Sequence, residues 1–314
     1  VSEPRAVRTI DLSSQLASEL ARLRKALDAV GRSETRNGEA GATGDQDAVH
    51  AARRSIKVLR ATLRLLGDPA DDPARKSLDD ALRALSGSLS RTRDLHVAVT
   101  TSRELRKGLR SRKRGPDKAL RTGLDSLAAE WTDKASAMER GRRLKGDEPA
   151  LEALESMAQE LATVLIVPDL VDQSAGTYRK ARERLTSAFK TGDPVALHAA
   201  RRLVVRCQLQ GKVLQSVTGK GKGRLRQLNA LRGLLGDHHD LTVMQALAGE
   251  TPHAESVSED LAELVVSRQR KLVDAARPLA NELFSGSARK FREKLESRLE
   301  RALQKRDRKR GPRG

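Results

Sequence analysis

The chain has 314 residues, with 61 Lys plus Arg against 42 Asp plus Glu for a net charge of +19 at pH 7, and with 38% hydrophobic and only 2% aromatic residues. That length allows one large domain or two ordinary ones, and so few aromatics call for a core of short aliphatic chains, which suits packed helices better than a sheet sandwich. The charge favours polyanions or anionic surfaces as partners and excludes basic ligands, while a single cysteine excludes an internal disulfide.

In chain order, residues 10–30 carry Leu12, Leu16, Leu20, Leu23 and Leu27 at helical spacing, with Asp11 and Ser13 as candidate caps. Residues 31–47, GRSETRNGEAGATGDQD, are polar and glycine-rich and predict a mobile connection. Residues 49–66 follow as VHAARRSIKVLRATLRLL. Counted at about 100° per residue from His50, the residues Arg53, Arg54, Lys57, Arg60 and Arg64 fill, with the histidine, an arc of about 120° and a ladder about 21 Å long. Ala52, Ile56, Leu59, Leu63 and Leu66 form the apolar stripe opposite. A charged face on one helix is usually a solvated one.

Gly67, Asp68 and Pro69 end that helix. A long helical pattern resumes at Pro73 with Leu78, Leu82, Leu85 and Leu89, bent at Gly87, and carries Arg91, Arg93 and Asp94 in its later part. Residues 108–116, GLRSRKRGP, are a basic loop that either closes over a polyanion or is simply solvated. A helix from Lys118 to about Leu144 includes Trp131, a core filler with its N–H near the surface. Residues 150–167 read as a helix broken by Pro168, and residues 178–190 as the counterpart of the first helix.

After a turn over residues 191–194, residues 197–214 repeat the earlier pattern as LHAARRLVVRCQLQGKVL. Arg201, Arg202 and Lys212 take the same cationic offsets from His198, and Ala200, Val204, Cys207, Gly211 and Leu214 the same apolar ones. Cys207 is therefore read as a small buried hydrophobe, not a nucleophile or metal ligand. TGKGKG at residues 218–223 is a cationic turn without a P-loop pattern. Residues 225–247 form a counterpart helix with Asp240, residues 258–284 and 288–306 complete the helices, and RDRKRGPRG is a basic tail expected to fray. RTRDLHVAV around Asp94 follows the first histidine by 44 residues, and GDHHDLTVM around Asp240 follows the second by 42. The chain is an internal duplication, with halves at 1–145 and 146–314.

A duplicated H-A-A-R-R helix, each copy followed by a D-L-x-V segment, resembles the CHAD family of histidine α-helical domains over most of the chain. His50, Arg53, Lys57 and Arg60 fit that family's H-x-x-R-x-x-x-K-x-x-R pattern. In the second copy Val205 replaces the lysine and Gln208 the arginine, although Arg206 and Lys212 keep charge nearby, and these departures weigh against an evenly two-sided site. The resemblance implies an all-α fold: two pseudo-symmetric helical bundles forming one compact domain with a central basic groove or channel. It implies non-catalytic binding of inorganic polyphosphate, through His50, Arg53, Arg54, Lys57, Arg60, Arg64, Arg91 and Arg93 from one half. From the other come His198, Arg201, Arg202, Arg206 and Lys212. It also implies a role in targeting to or organising polyphosphate granules, with no cofactor and no metal.

The chemistry of the residues agrees. Cations three and four apart on a helix are neighbours at about 5–6 Å and can meet successive anionic groups, and arginine forks bind phosphate oxygens without losing charge. His50 and His198 stand among cations and lack an acid close in sequence on their own face. The neutral imidazole is then favoured, and hydrogen bonding to phosphate or a neighbouring helix outweighs acid–base catalysis. Asp94 and Asp240 either orient basic side chains from behind or form ordinary ion pairs. His238 and His239 with Asp237 and Asp240 suggest a metal cluster, but adjacent residues on a helix point about 100° apart, so structural use is favoured. The alternatives are a sequence-neutral nucleic-acid binder, for which stacking aromatics are scarce, and a polyphosphate-metabolising enzyme, which needs acids for Mg²⁺ that the repeated face lacks. With no apolar run of about 18 residues and no signal-peptide core, a cytoplasmic location is expected, with no membrane partner.

Overall fold

The computed structural model describes residues 9–33, 39–109, 116–141, 147–159, 164–251 and 258–310. Eleven α-helices follow one another in these residues: α1 (Ser13–Ser33), α2 (Glu39–Leu66), α3 (Pro73–Ser88), α4 (Ser90–Gly108), α5 (Pro116–Gly141), α6 (Asp147–Gln159), α7 (Val167–Thr191), α8 (Pro194–Thr218), α9 (Lys222–Gly249), α10 (Ser258–Leu283) and α11 (Ala288–Arg310). The fold is all-α, apart from a two-stranded antiparallel ribbon of β1 (Thr9–Asp11) and β2 (Val164–Ile166), with Ile10 opposite Leu165. No helix among the described residues is long and apolar enough to cross a membrane.

Local chemistry sets the helix ends. Asp72 accepts from Arg75 N at 3.0 Å just before Pro73 opens α3. Asp193 accepts from Val195 N and Ala196 N at 3.2 and 2.8 Å, and Pro194 opens α8. One residue earlier Gly192 takes φ 68°, the left-handed turn that ends α7. The connection is so short that α7 and α8 must fold back on each other, and they pack together.

Several elements depart from the sequence expectations. The first helix begins at Ser13, because residues 9–11 belong to β1; Asp11 accepts from the backbone and hydroxyl of Ser13 at 2.8 and 2.9 Å. The expected mobile connection is already helical from Glu39, with residues 34–38 outside those described. Each glycine there costs about 1 kcal/mol of helix propensity, but extending an existing helix is far easier than starting one. The helix expected over residues 150–167 ends at Gln159, and the apolar run Val164–Ile166 is a strand. Pro168 lies in the first turn of α7, where its missing N–H has no cost, so it opens a helix instead of breaking one. Of the basic tail, residues 306–310 continue α11, and residues 311–314 lie outside those described. Most of the basic loop, residues 110–115, lies outside the described residues. The pattern expected to bend at Gly87 is two helices meeting at Leu89, whereas α9 is unbroken.

Three hydrophobic clusters hold these helices. The first gathers α1, α2 and α3 with α6, β2, the start of α7, Val213 and Leu214 of α8, and Leu295, Leu299 and Leu303 of α11. The second joins α4 and α5 to Leu241, Met244 and Ala248 of α9 and Leu261 and Val265 of α10. Trp131 lies in it at 1% exposure, enclosed where its N–H was expected near the surface. The third joins α7, α8, α9 and α10. Two of the three clusters therefore draw on residues from both sides of position 145.

Candidate functional site

The two histidine helices sit on the core as their stripes require. On α2, Ala52, Ile56, Leu59, Leu63 and Leu66 are all buried. On α8, Ala200, Val204 and Leu214 are buried while Cys207 and Gly211 are half-buried. The helices touch, α7 touches both, and their cationic faces meet across a cavity of about 930 Å³. Ten Lys and Arg side chains line it against two carboxylates, Asp94 and Glu183.

Of the residues singled out from sequence, this cavity brings together Arg53, Lys57, Arg60, Arg64, Arg93, Asp94, His198, Arg201, Arg202 and Arg206. Arg53 and Arg201, which are far apart in the chain, thus face one space. His50 and Asp240 instead line a second cavity of about 640 Å³, with Arg93 forming part of both walls. Arg54, Arg91 and Lys212 are exposed and line neither. The two motif aspartates meet on one guanidinium: Arg93 donates to Asp94 at 3.0 Å and to Asp240 at 3.3 Å.

The cavity cations fall into two groups. Some are held. Arg60 donates from Nε and Nη2 to the two oxygens of Asp79 at 2.8 and 3.2 Å, and Arg64 and Arg83 donate to the same carboxylate at 3.0 and 3.2 Å. Asp79 is 2% exposed; burial would raise its pKa, but the Arg60 hydrogen bonds and the three charges outweigh it and keep the carboxyl below its ordinary range. Arg53 donates to the Ser86 carbonyl and the Ser90 hydroxyl, both at 2.9 Å. Others are unmatched. Among the described residues no acid pairs with Lys57, Arg201, Arg202 or Arg206. Nε of Arg201 is buried without a hydrogen-bond partner.

This crowding shows in the acid–base chemistry. Lys57 opens onto the cavity, but desolvation there, followed by the charges of Arg201, Arg53, Arg93 and Arg232, pushes its ammonium down to about 8. Burial also lowers Arg53, Arg201 and Arg206 from their ordinary values. His50 is lowered by burial, then by Lys57, Arg93 and Arg54. Asp47, three residues earlier, raises it, so an acid is close in sequence after all. The His198 ring lies 3.8 Å from that of His239, and its buried Nδ1 has no partner. Burial first, then Arg201 and Arg202, lowers His198, while burial and His198 push His239 down to about 3. Both rings are neutral at ordinary pH and offer N–H groups to an anion. His238 is buried and faces away from this cavity. Among the described residues no group of three or more His, Cys, Asp or Glu is arranged to hold a metal ion. Cys207 adjoins a small pocket beside Tyr178 and Arg224, and burial pushes its thiol up to about 12, leaving it inert.

Sequence reasoning missed Asp79, Lys180 and Arg184, and it weighed His239 only as part of a metal cluster or a structural group, whereas that residue lines the cavity. Asp79 is an acid beside Leu78 in a leucine-spaced stripe, which was the available signal. Lys180 and Arg184 stand one turn apart on α7, in a helix read only for packing.

A family profile described as CHAD domain matches residues 21–249. Among solved structures the chain is similar to the crystal structure of the CHAD domain from the plant Ricinus communis, with TM-score 0.62 and 18% identity over 90% of this chain and 96% of that one. It is also similar to PptA from Streptomyces chartreusis, with TM-score 0.51 and 17% identity over 86% of this chain and 99% of that one. No curated protein matches.

Proposed function

Given that the chain belongs to the CHAD domain family, we propose that it binds inorganic polyphosphate, without turning it over, in the cavity between α2, α7 and α8. The observation that carries this reading is the lining of ten cationic side chains against two carboxylates. Like charges this close repel in a partly desolvated space, and an anion removes the strain. A single phosphate meets only a few of them, whereas a chain of phosphates meets successive rungs on facing helices.

Binding, as opposed to cleavage, is favoured by the state of the acids. Asp94 is engaged by Arg93, and Glu183 lies 4.0 Å from Arg179, while a phosphoanhydride-cleaving site needs carboxylates free for Mg²⁺. Against a single-stranded nucleic acid stands the position of the aromatics. Trp131, Tyr178, Phe189 and Phe284 are buried, and Phe291 packs on the third cluster, so no stacking platform faces outward. α1 packs on α2 as α7 packs on α8, and α4 on α5 as α9 on α10, which supports the reading of two related halves at 1–145 and 146–314. Attachment to polyphosphate granules follows from the same binding.

The test is Lys57→Ala with Arg202→Ala, since neither side chain holds another part of the fold. Polyphosphate affinity should fall at least about tenfold, about 1.4 kcal/mol, with the melting midpoint unchanged or raised as repulsion is relieved. Unaltered affinity in the folded variant rejects the cavity. Displacement of polyphosphate by duplex DNA at equal total charge would point instead to a generic basic surface.

A further inference from the structure

The second histidine helix is the poorer one. Along α2 the cavity meets Arg53, Lys57, Arg60 and Arg64 beside Ile56 and Ala61, whereas along α8 it meets Arg201, Arg202 and Arg206 beside Leu203, Val205 and Leu209, with no cation beyond Arg206. Gln208 cannot help, because it is 4% exposed and donates to Asn229 at 3.0 Å.

A third wall faces this gap. On α7, Lys180 and Arg184 are exposed, line the same cavity, and stand four apart, which puts them about 5–6 Å from each other. Among the described residues neither pairs with an acid. Glu183, the carboxylate on that wall, lies nearer Arg179 outside the cavity, at 4.0 Å. The bland reading of two exposed cations on a helix is a solvated face. It fits Arg179 and Arg182, which lie on α7 but do not line the cavity. It does not fit a pair projecting into a space shared with Arg201, Arg202 and Arg206.

We propose, resting on the polyphosphate reading, that Lys180 and Arg184 are phosphate-binding residues that supply from α7 the contacts that Val205 and Gln208 cannot supply from α8. The receptor is then three-walled and uneven. α2 contributes arginines already fixed by Asp79 and Ser86 together with the unpaired Lys57, and α7 and α8 contribute further unpaired charges that an incoming anion neutralises. A bound chain is drawn toward α7 instead of lying midway between the two histidine helices.

The experiment titrates a linear polyphosphate of defined length into the full chain at several salt concentrations. Lys180→Ala with Arg184→Ala should weaken binding at least about tenfold and flatten the dependence of log affinity on log salt by more than about one, since two phosphate contacts are lost. Arg182→Ala with Lys190→Ala removes the same charge from the same helix outside the cavity and should change affinity by less than about threefold. Both pairs are exposed, so melting midpoints should match the parent. Equal weakening by the two pairs overturns the proposal, as does an unchanged affinity and slope in the Lys180 and Arg184 variant. If that variant binds normally while the Lys57 and Arg202 variant is weakened, the α7 wall falls and the cavity stands. If neither is weakened, the cavity itself falls.

Discussion

Lys57 is the residue on which the crowding of charge acts most visibly. Its ammonium titrates at about 8 in the folded chain against an ordinary 10.5. Between those values the unfolded chain holds a proton that the folded chain has released, so stability should rise with pH across that window. A bound polyanion favours the charged form and returns the proton. Binding should therefore take up protons near pH 8 and weaken as pH rises through that value. Titration calorimetry in two buffers of different ionisation enthalpy reads the uptake as a difference in heat. Lys57→Arg, charged throughout, should abolish the difference and keep affinity within about threefold; equal heats for the parent chain would contradict the assignment. The place of Lys57 on the α2 ladder was legible from spacing alone. Its depressed basicity was not, because it depends first on burial and then on charges such as Arg201 and Arg232 that reach it from other helices.

Between elements, Asp79 is the brace that fixes α3 to α2. Asp79→Asn keeps the shape but leaves the Arg60, Arg64 and Arg83 guanidinium groups around a neutral amide. The loss should be about 2–4 kcal/mol, seen as a lower urea midpoint at pH 7. The carboxyl is held below its ordinary 3.8, so its contribution is complete above that value and disappears as pH falls toward the lower folded value. Parent and variant should then converge in acid, and a difference that persists at low pH would show that the brace works otherwise. At this scale the apolar stripes of α1, α2 and α3 could be read directly, because each buries one face. β1 and β2 could not: three residues are too few for a period, and each exists only because the other is beside it. The early start of α2 was hidden for the opposite reason, since glycine content argued locally for a loop and an already formed helix overruled it.

For the whole molecule, the helices before and after position 145 do not form two separate cores. α4 and α5 close their cluster on Leu241, Met244 and Val265, and α1 and α2 share theirs with α11. A fragment of residues 1–145 should consequently lack fixed packing around Trp131, while residues 146–314 keep the α7 to α10 cluster. Near-ultraviolet circular dichroism reads this through the sole tryptophan: its signal should be absent in the first fragment and appear when the second is added. A native signal from the first fragment alone would show that half to be self-sufficient. The helix faces could be read from sequence because they are local, but not the sharing of cores, which depends on how finished helices are stacked.

The β1 and β2 ribbon sets a schedule for the ribosome. Thr9, Ile10 and Asp11 emerge first among the described residues, yet their hydrogen-bonding partners are residues 164–166. Residues 12–163 must be translated before that clasp can shut, so the leading helices lack β2 and the α7 and α11 share of their core until the chain beyond residue 164 has left the exit tunnel.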